Sequence, residues 1–136
     1  MTQPINPPAP GSPEDWLRHA ESDLQYAKLG SGAADILPNQ AAFHAQQAVE
    51  KAVKAMLLHR QVIFARTHDL NALIELLKRN GVQWPGDLED AKDLTPYAVQ
   101  MRYPGHAPQL TTAEVEDAIQ MADDVIAWIK SQVGAP

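Results

Sequence analysis

Two short polar stretches hold residue types from which a site could be built. The first is Arg102-Tyr103-Pro104-Gly105-His106. A guanidinium and an imidazole four positions apart in a tight turn, with a phenol between them, could hold and cleave a phosphodiester. Imidazole would serve as general acid or base, and guanidinium would stabilise the phosphorane charge. Arg102 also has a structural reading, because a cation in a last helical turn offsets the negative end of the helix dipole. The second stretch is His68-Asp69, taken with the polar face of the preceding helix, which carries His44, Gln47, Lys51 and Lys54. Asp69 at a helix start is accounted for by the dipole, and a lone histidine is commonly a capping or surface residue.

Other chemistries lack their signatures. The chain has no Gly-rich phosphate loop, no paired-histidine metal spacing and no serine nucleophile elbow. With no cysteine, a disulfide framework and a Cys-based zinc or iron–sulfur site are excluded. No cofactor and no metal are called for. Trp16, Trp84 and Trp128 read as packing residues rather than base-stacking platforms.

The elements that must position these residues are helices. FHAQQAVEKAVKAMLL, from Phe43 to Leu58, contains neither Gly nor Pro and repeats alanine at 45, 48, 52 and 55. Its apolar residues at 42, 45, 48/49, 52/53 and 56 predict one buried stripe, with Glu50 placed to pair with Lys54. Pro38 lies just ahead of this central helix. Before it, Ser12 as N-cap and Pro13 in the first turn open a helix running to about Leu29, with Trp16, Ala20, Leu24 and Ala27 facing inward. After it, Thr67-His68-Asp69 opens a third helix with Leu70, Leu73, Ile74 and Leu77 on its apolar face, and Asn80-Gly81 closes it. Asp87 to Leu94 predicts a short helix. Thr95-Pro96 reads as a second N-cap and first-turn pair, with Pro96 kinking that helix or starting another over Tyr97 to Arg102. Thr111 and Glu114 form a capping box before a final helix with Val115, Ala118, Ala122, Val125, Ile129 and Val133 in register. The expected fold is all-α, an up-and-down bundle of four to five helices. Residues 1–11, with four prolines, read as a disordered lead-in, 12–133 as the folded domain and 134–136 as a tail.

At 136 residues with 45% hydrophobic content, one core is expected. The net charge of −6 argues against indiscriminate nucleic-acid binding. Charge is uneven, however: Phe43 to His68 carries Lys51, Lys54, Arg60 and Arg66 against Glu50 alone. That basic region could meet phosphate or an acidic partner, or could be a solvated helix face. No apolar run reaches the roughly 20 residues that span a bilayer, and the N-terminus lacks signal-peptide features, so a cytoplasmic protein with no membrane association is expected.

Taken together, these pieces resemble the HEPN family, named for its occurrence in higher eukaryotes and prokaryotes and associated with nucleotide binding. The resemblance rests on Trp16-Leu17 through Ala20, Asp23-Leu24 and Ala27, then on FHAQQAVEKAVKAMLL. It continues with His68-Asp69-Leu70 and Leu73, Tyr97-Ala98-Val99, Arg102-Tyr103-Pro104 and Ile126-Ala127-Trp128-Ile129. It implies a bundle that dimerises, often encoded beside a small nucleotidyltransferase, some such pairs acting as toxin and antitoxin. Family ribonucleases place four to six residues between an arginine and a histidine, at a cleft between two copies. Here only Tyr103, Pro104 and Gly105 intervene, and Tyr103 occupies the position that is polar in the ribonuclease motif. The ribonuclease residues therefore do not carry over as a match.

The leading expectation is a nucleotide- or RNA-binding or partner module working with a minimal nucleotidyltransferase, as a homodimer. Its contacts would come from Lys51, Lys54, His68, Asp69, Arg102 and Tyr103. Two alternatives stand beside it. One is a metal-independent endoribonuclease toxin using Arg102 and His106, and the other is a bundle whose role is assembly alone.

Overall fold

The computed structural model describes residues 7–99, 104–105 and 108–133. Arg102, Tyr103 and His106, most of the lead-in, the tail and the end of the helix expected over Tyr97 to Arg102 lie outside the described residues. Among the described residues the fold is an all-α bundle with no strand, and no helix is long and apolar enough to cross a membrane.

Helix α1 spans Pro13–Ser31. Ser12 caps it, its Oγ accepting from the Asp15 amide at 3.1 Å, and Pro13 occupies the first turn. Leu17, Ala20, Leu24, Ala27 and Gly30 are buried, while Trp16 is half-buried at the edge of the core. Gly30 permits a close approach to α2. A Cβ there would lie 3.2 Å from Ile36 Cγ2 and 3.6 Å from Ala41 Cβ.

Helix α2 spans Pro38–His59, beginning five residues before the expected Phe43, with Pro38 inside its first turn rather than ahead of it. Its environment also departs from the single stripe. Ala52, Val53, Lys54, Ala55, Met56 and Leu57 are buried in unbroken succession, so this half of α2 is enclosed on all sides. The reason is positional. The helix packs against α1, α3, the 3₁₀ segment and the last helix alike, and small alanines let several axes approach it. Lys54 is consequently not on a solvated face.

Helix α3 spans Leu70–Arg79, with Asp69 as N-cap: its Oδ1 accepts from the Ala72 amide at 3.2 Å. Leu70, Leu73, Ile74 and Leu77 are buried as the periodicity predicts. α2 and α3 end in the same way. Amides of Gln61 and Val62 donate to the carbonyls of Leu58 and Leu57, and amides of Gly81 and Val82 donate to those of Lys78 and Leu77. Both are Schellman closures with a left-handed residue, φ +88° at Gly81 and +59° at Gln61, where a side chain costs more than glycine does.

Gly86–Ala98 is one 3₁₀ segment, not a short α-helix followed by a second start at Pro96. Leu88, Ala91 and Leu94 are buried at intervals of three, the period that aligns side chains on one face of a 3₁₀ helix. Thr95 does not act as an N-cap for a new helix. Its hydroxyl donates to the Lys92 carbonyl at 2.8 Å and accepts the otherwise unpaired Leu70 amide of α3 at 3.1 Å. Helix α4, Thr112–Val133, starts with the expected capping box: the Thr111 amide donates to Glu114 Oε1 at 3.0 Å and the Glu114 amide to Thr111 Oγ1 at 3.1 Å. Trp84 and Trp128 meet edge to face, centroids 5.2 Å apart, which supports their reading as packing residues.

Candidate functional site

Gln46, Glu50 and Lys54 stand one helical turn apart along α2, in the register that α1 and the α2–α3 connection cover. Glu50 is the hub. Its Oε1 accepts from Gln46 Nε2 at 3.0 Å and lies 2.8 Å from His68 Nδ1, while its Oε2 accepts from Lys54 Nζ at 2.9 Å. Gln47 extends the chain, donating through Nε2 to Gln46 Oε1 at 2.7 Å. The Lys54 ammonium also sits 5.9 Å from the ring centroids of both Trp16 and Phe64, a distance at which each π-face attracts it.

Burial divides this network. The side chains of Glu50 and Lys54 are 5% and 7% exposed, whereas that of His68 is 59% exposed. Burial pushes the Glu50 carboxyl upward, but hydrogen bonds from Gln46, Lys54 and His68 outweigh it and hold the group below the usual glutamate range. Glu50 is therefore an ionised acceptor. Among the described residues every buried side-chain nitrogen and oxygen has a partner, so the cluster is internally satisfied.

A second carboxylate does similar work nearby. Asp23 of α1 pairs through Oδ2 with Lys51 Nζ at 2.5 Å and through Oδ1 with His44 Nδ1 at 3.1 Å. The His44 ring also stacks, tilted, on Tyr26 with centroids 4.2 Å apart.

These contacts change the picture of a basic segment. Lys51 is engaged by Asp23 and Lys54 by Glu50, and Arg60 donates to the Asn80 carbonyl at 3.0 Å. Asp69 is occupied in capping α3. Of the sequence candidates, Lys54 and His68 come together on Glu50, Lys51 joins a separate cluster, and Arg102, Tyr103 and His106 lie outside the described residues. Sequence reasoning saw Glu50 as a helical ion-pair partner, and it named Asp23 and the stretch holding Gln46 only among the residues that carry the family resemblance, not as site residues. The signal available was Gln-x-x-x-Glu-x-x-x-Lys, three polar residues at single-turn spacing inside an otherwise alanine-rich stretch.

An open cleft of about 280 Å³ between the 3₁₀ segment and α4 is lined by Asp90, Asp93, Tyr97, Glu114 and Asp117. Burial, followed by Glu114, Asp93 and Asp117, raises the Tyr97 phenol above its ordinary value. Its carboxylates repel anions, so this side of the bundle does not suit phosphate. Among the described residues no group of three or more His, Asp or Glu side chains is arranged to hold a metal ion.

A family model of the HEPN domain matches residues 13–132, from the first turn of α1 to the end of α4. The chain belongs to the HEPN family. Two solved structures share the fold. TT1696 from Thermus thermophilus has 33% identity and a TM-score of 0.73, with 88% of this chain and 96% of that chain covered. ST0689, an archaeal HEPN homologue, has 28% identity and a TM-score of 0.72, with 90% and 98% covered. No curated protein matches. The HEPN assignment covers every element that builds the Glu50 cluster.

Proposed function

We propose that this HEPN domain is a nucleotide- or RNA-binding module that works, as a homodimer, beside a minimal nucleotidyltransferase in a toxin–antitoxin-like pair. The observation that carries the reading is the His68 imidazole, anchored by Nδ1 to a buried carboxylate and open to solvent at its far side. A surface ring fixed from within loses little freedom when it meets a ligand, which is how a preformed contact gains affinity. In this reading Lys51, His68, Arg102 and Tyr103 meet the ligand. Lys54 and Asp69 serve indirectly, Lys54 through Glu50 and Asp69 by starting α3 beside His68.

The test is binding of fluorescein-labelled single-stranded RNA and of ATP to wild type, His68→Ala and Arg102→Ala, followed by anisotropy and calorimetry. Micromolar binding that weakens several-fold in each variant is expected, with a negative dependence on salt. No binding of either probe by folded wild type refutes the module. RNA should remain intact in a metal-free incubation. Cleavage that disappears in Arg102→Ala and His106→Ala would instead establish the endoribonuclease.

A further inference from the structure

We infer that Glu50 is a positioning residue that fixes the tautomer of His68, and that His68 Nε2 thereby reads a ribose hydroxyl and gives the site a preference for RNA over DNA. The inference rests on the nucleic-acid-binding reading above. Glu50 is ionised, so it carries no hydrogen to donate, and His68 Nδ1 lies 2.8 Å from its Oε1. The hydrogen in that contact must therefore belong to Nδ1. A neutral imidazole with its hydrogen on Nδ1 has a lone pair on Nε2, so the exposed side of the ring is an acceptor.

That polarity selects the ligand group. A phosphate diester has acceptors only and cannot bond to a neutral Nε2. The ribose 2′-hydroxyl is a donor as well as an acceptor and is the group that distinguishes RNA from DNA. The cluster holds the polarity in place. Gln46 Nε2 and Lys54 Nζ also donate to the carboxylate, and both Glu50 and Lys54 are buried, so the carboxylate is held facing the ring.

The experiment has two arms. In ¹⁵N-histidine-labelled wild type at pH 8, where an ordinary imidazole is neutral, two-bond ¹H–¹⁵N correlation spectra should show His68 with its hydrogen on Nδ1. The same spectra of Glu50→Gln should show a shift toward the Nε2–H form. The double variant Glu50→Leu/Lys54→Met, which leaves no acceptor beside the ring, serves if removing the buried anion alone prevents folding. A wild-type ring with its hydrogen on Nε2 overturns the inference. In the second arm, RNA and DNA oligonucleotides of one sequence are titrated at the same pH. Wild type should bind RNA about five-fold more tightly, the scale of one hydrogen bond, and His68→Ala should bring the ratio near one. Equal affinity for RNA and DNA in wild type overturns the hydroxyl-reading role while leaving the binding module intact. Binding of neither oligonucleotide refutes the module itself, and with it this role, while the spectra still report what Glu50 does to the ring.

Discussion

Replacing Glu50 by leucine should leave the Lys54 ammonium in a site that is 7% exposed, with only the Trp16 and Phe64 rings near it. Stranding one member of a buried pair costs about 3–5 kcal/mol. At this chain length each kcal/mol lowers Tm by roughly 3–5 °C, so a fall of roughly 10–20 °C is expected. Lys54→Met should cost less, about 2 kcal/mol, because Gln46 and His68 still donate to the carboxylate. The double variant removes both charges. It leaves only the Gln46 amide without its acceptor, at about 1–3 kcal/mol, since His68 can turn to water. Urea unfolding followed by circular dichroism and tryptophan fluorescence supplies the three free energies. The double variant should be more stable than Glu50→Leu alone, with a coupling of about 2 kcal/mol or more. Additive losses, or a Glu50→Leu cost below about 1 kcal/mol, would refute the claim that the pair is buried and mutually dependent.

Other expectations follow from the same structure. Because the folded Glu50 carboxyl lies below its ordinary value of 4.5, its stabilisation is complete above that pH and is lost as pH falls through the lower folded value. The urea midpoints of wild type and Glu50→Gln should therefore converge below pH 4.5, and a constant gap would contradict the assignment. Ala52→Leu, at a position with no exposure, should destabilise by about 1–3 kcal/mol through overpacking, whereas Lys51→Ala, at a partly exposed ion pair, should change stability by no more than about 1 kcal/mol. Equal melting temperatures for Ala52→Leu and wild type would refute the packing of α2. Gln61→Gly should stabilise by up to about 1 kcal/mol and Gly81→Ala should destabilise by about 1 kcal/mol, since both positions need a left-handed backbone; a matching sign in the two urea melts would exclude it. Light scattering at micromolar concentration should give twice the 14.9 kDa chain mass, and a monomer would refute dimerisation.

The helices were legible where local chemistry decides them. Ser12, Asp69 and the Thr111–Glu114 box mark starts by side-chain capping, and Asn80-Gly81 marks an end by backbone geometry. The exceptions have one origin, which is tertiary contact. Leu37 offers no side-chain cap, so the start of α2 depends on packing and on Asn39, whose Oδ1 accepts from the distant Leu110 amide at 2.8 Å. Thr95 has the residue type of an N-cap, yet its hydroxyl serves α3, 25 positions earlier in the chain. Lys54 reads as solvated in any helical projection, because a projection counts a cation as polar and cannot know that α1 and the α2–α3 connection bring Trp16 and Phe64 over it. The carboxylates of the two clusters were hidden for the same reason. Asp23 finds Lys51 across 28 positions, and Glu50 finds His68 across 18.

The enclosure of α2 has a kinetic consequence. Amides between Ala52 and Leu57 are covered on every side, so water reaches them only when the bundle comes apart as a whole. Their hydrogen exchange should set the slow limit for the molecule, with the opening free energy equal to that of global unfolding. Lys54 rides on that stretch, and Glu50, itself buried, stands two residues before it on the same helix. The exposed imidazole of His68 is thus anchored, through Glu50 and its bond to Lys54, beside the longest-lived part of the protein.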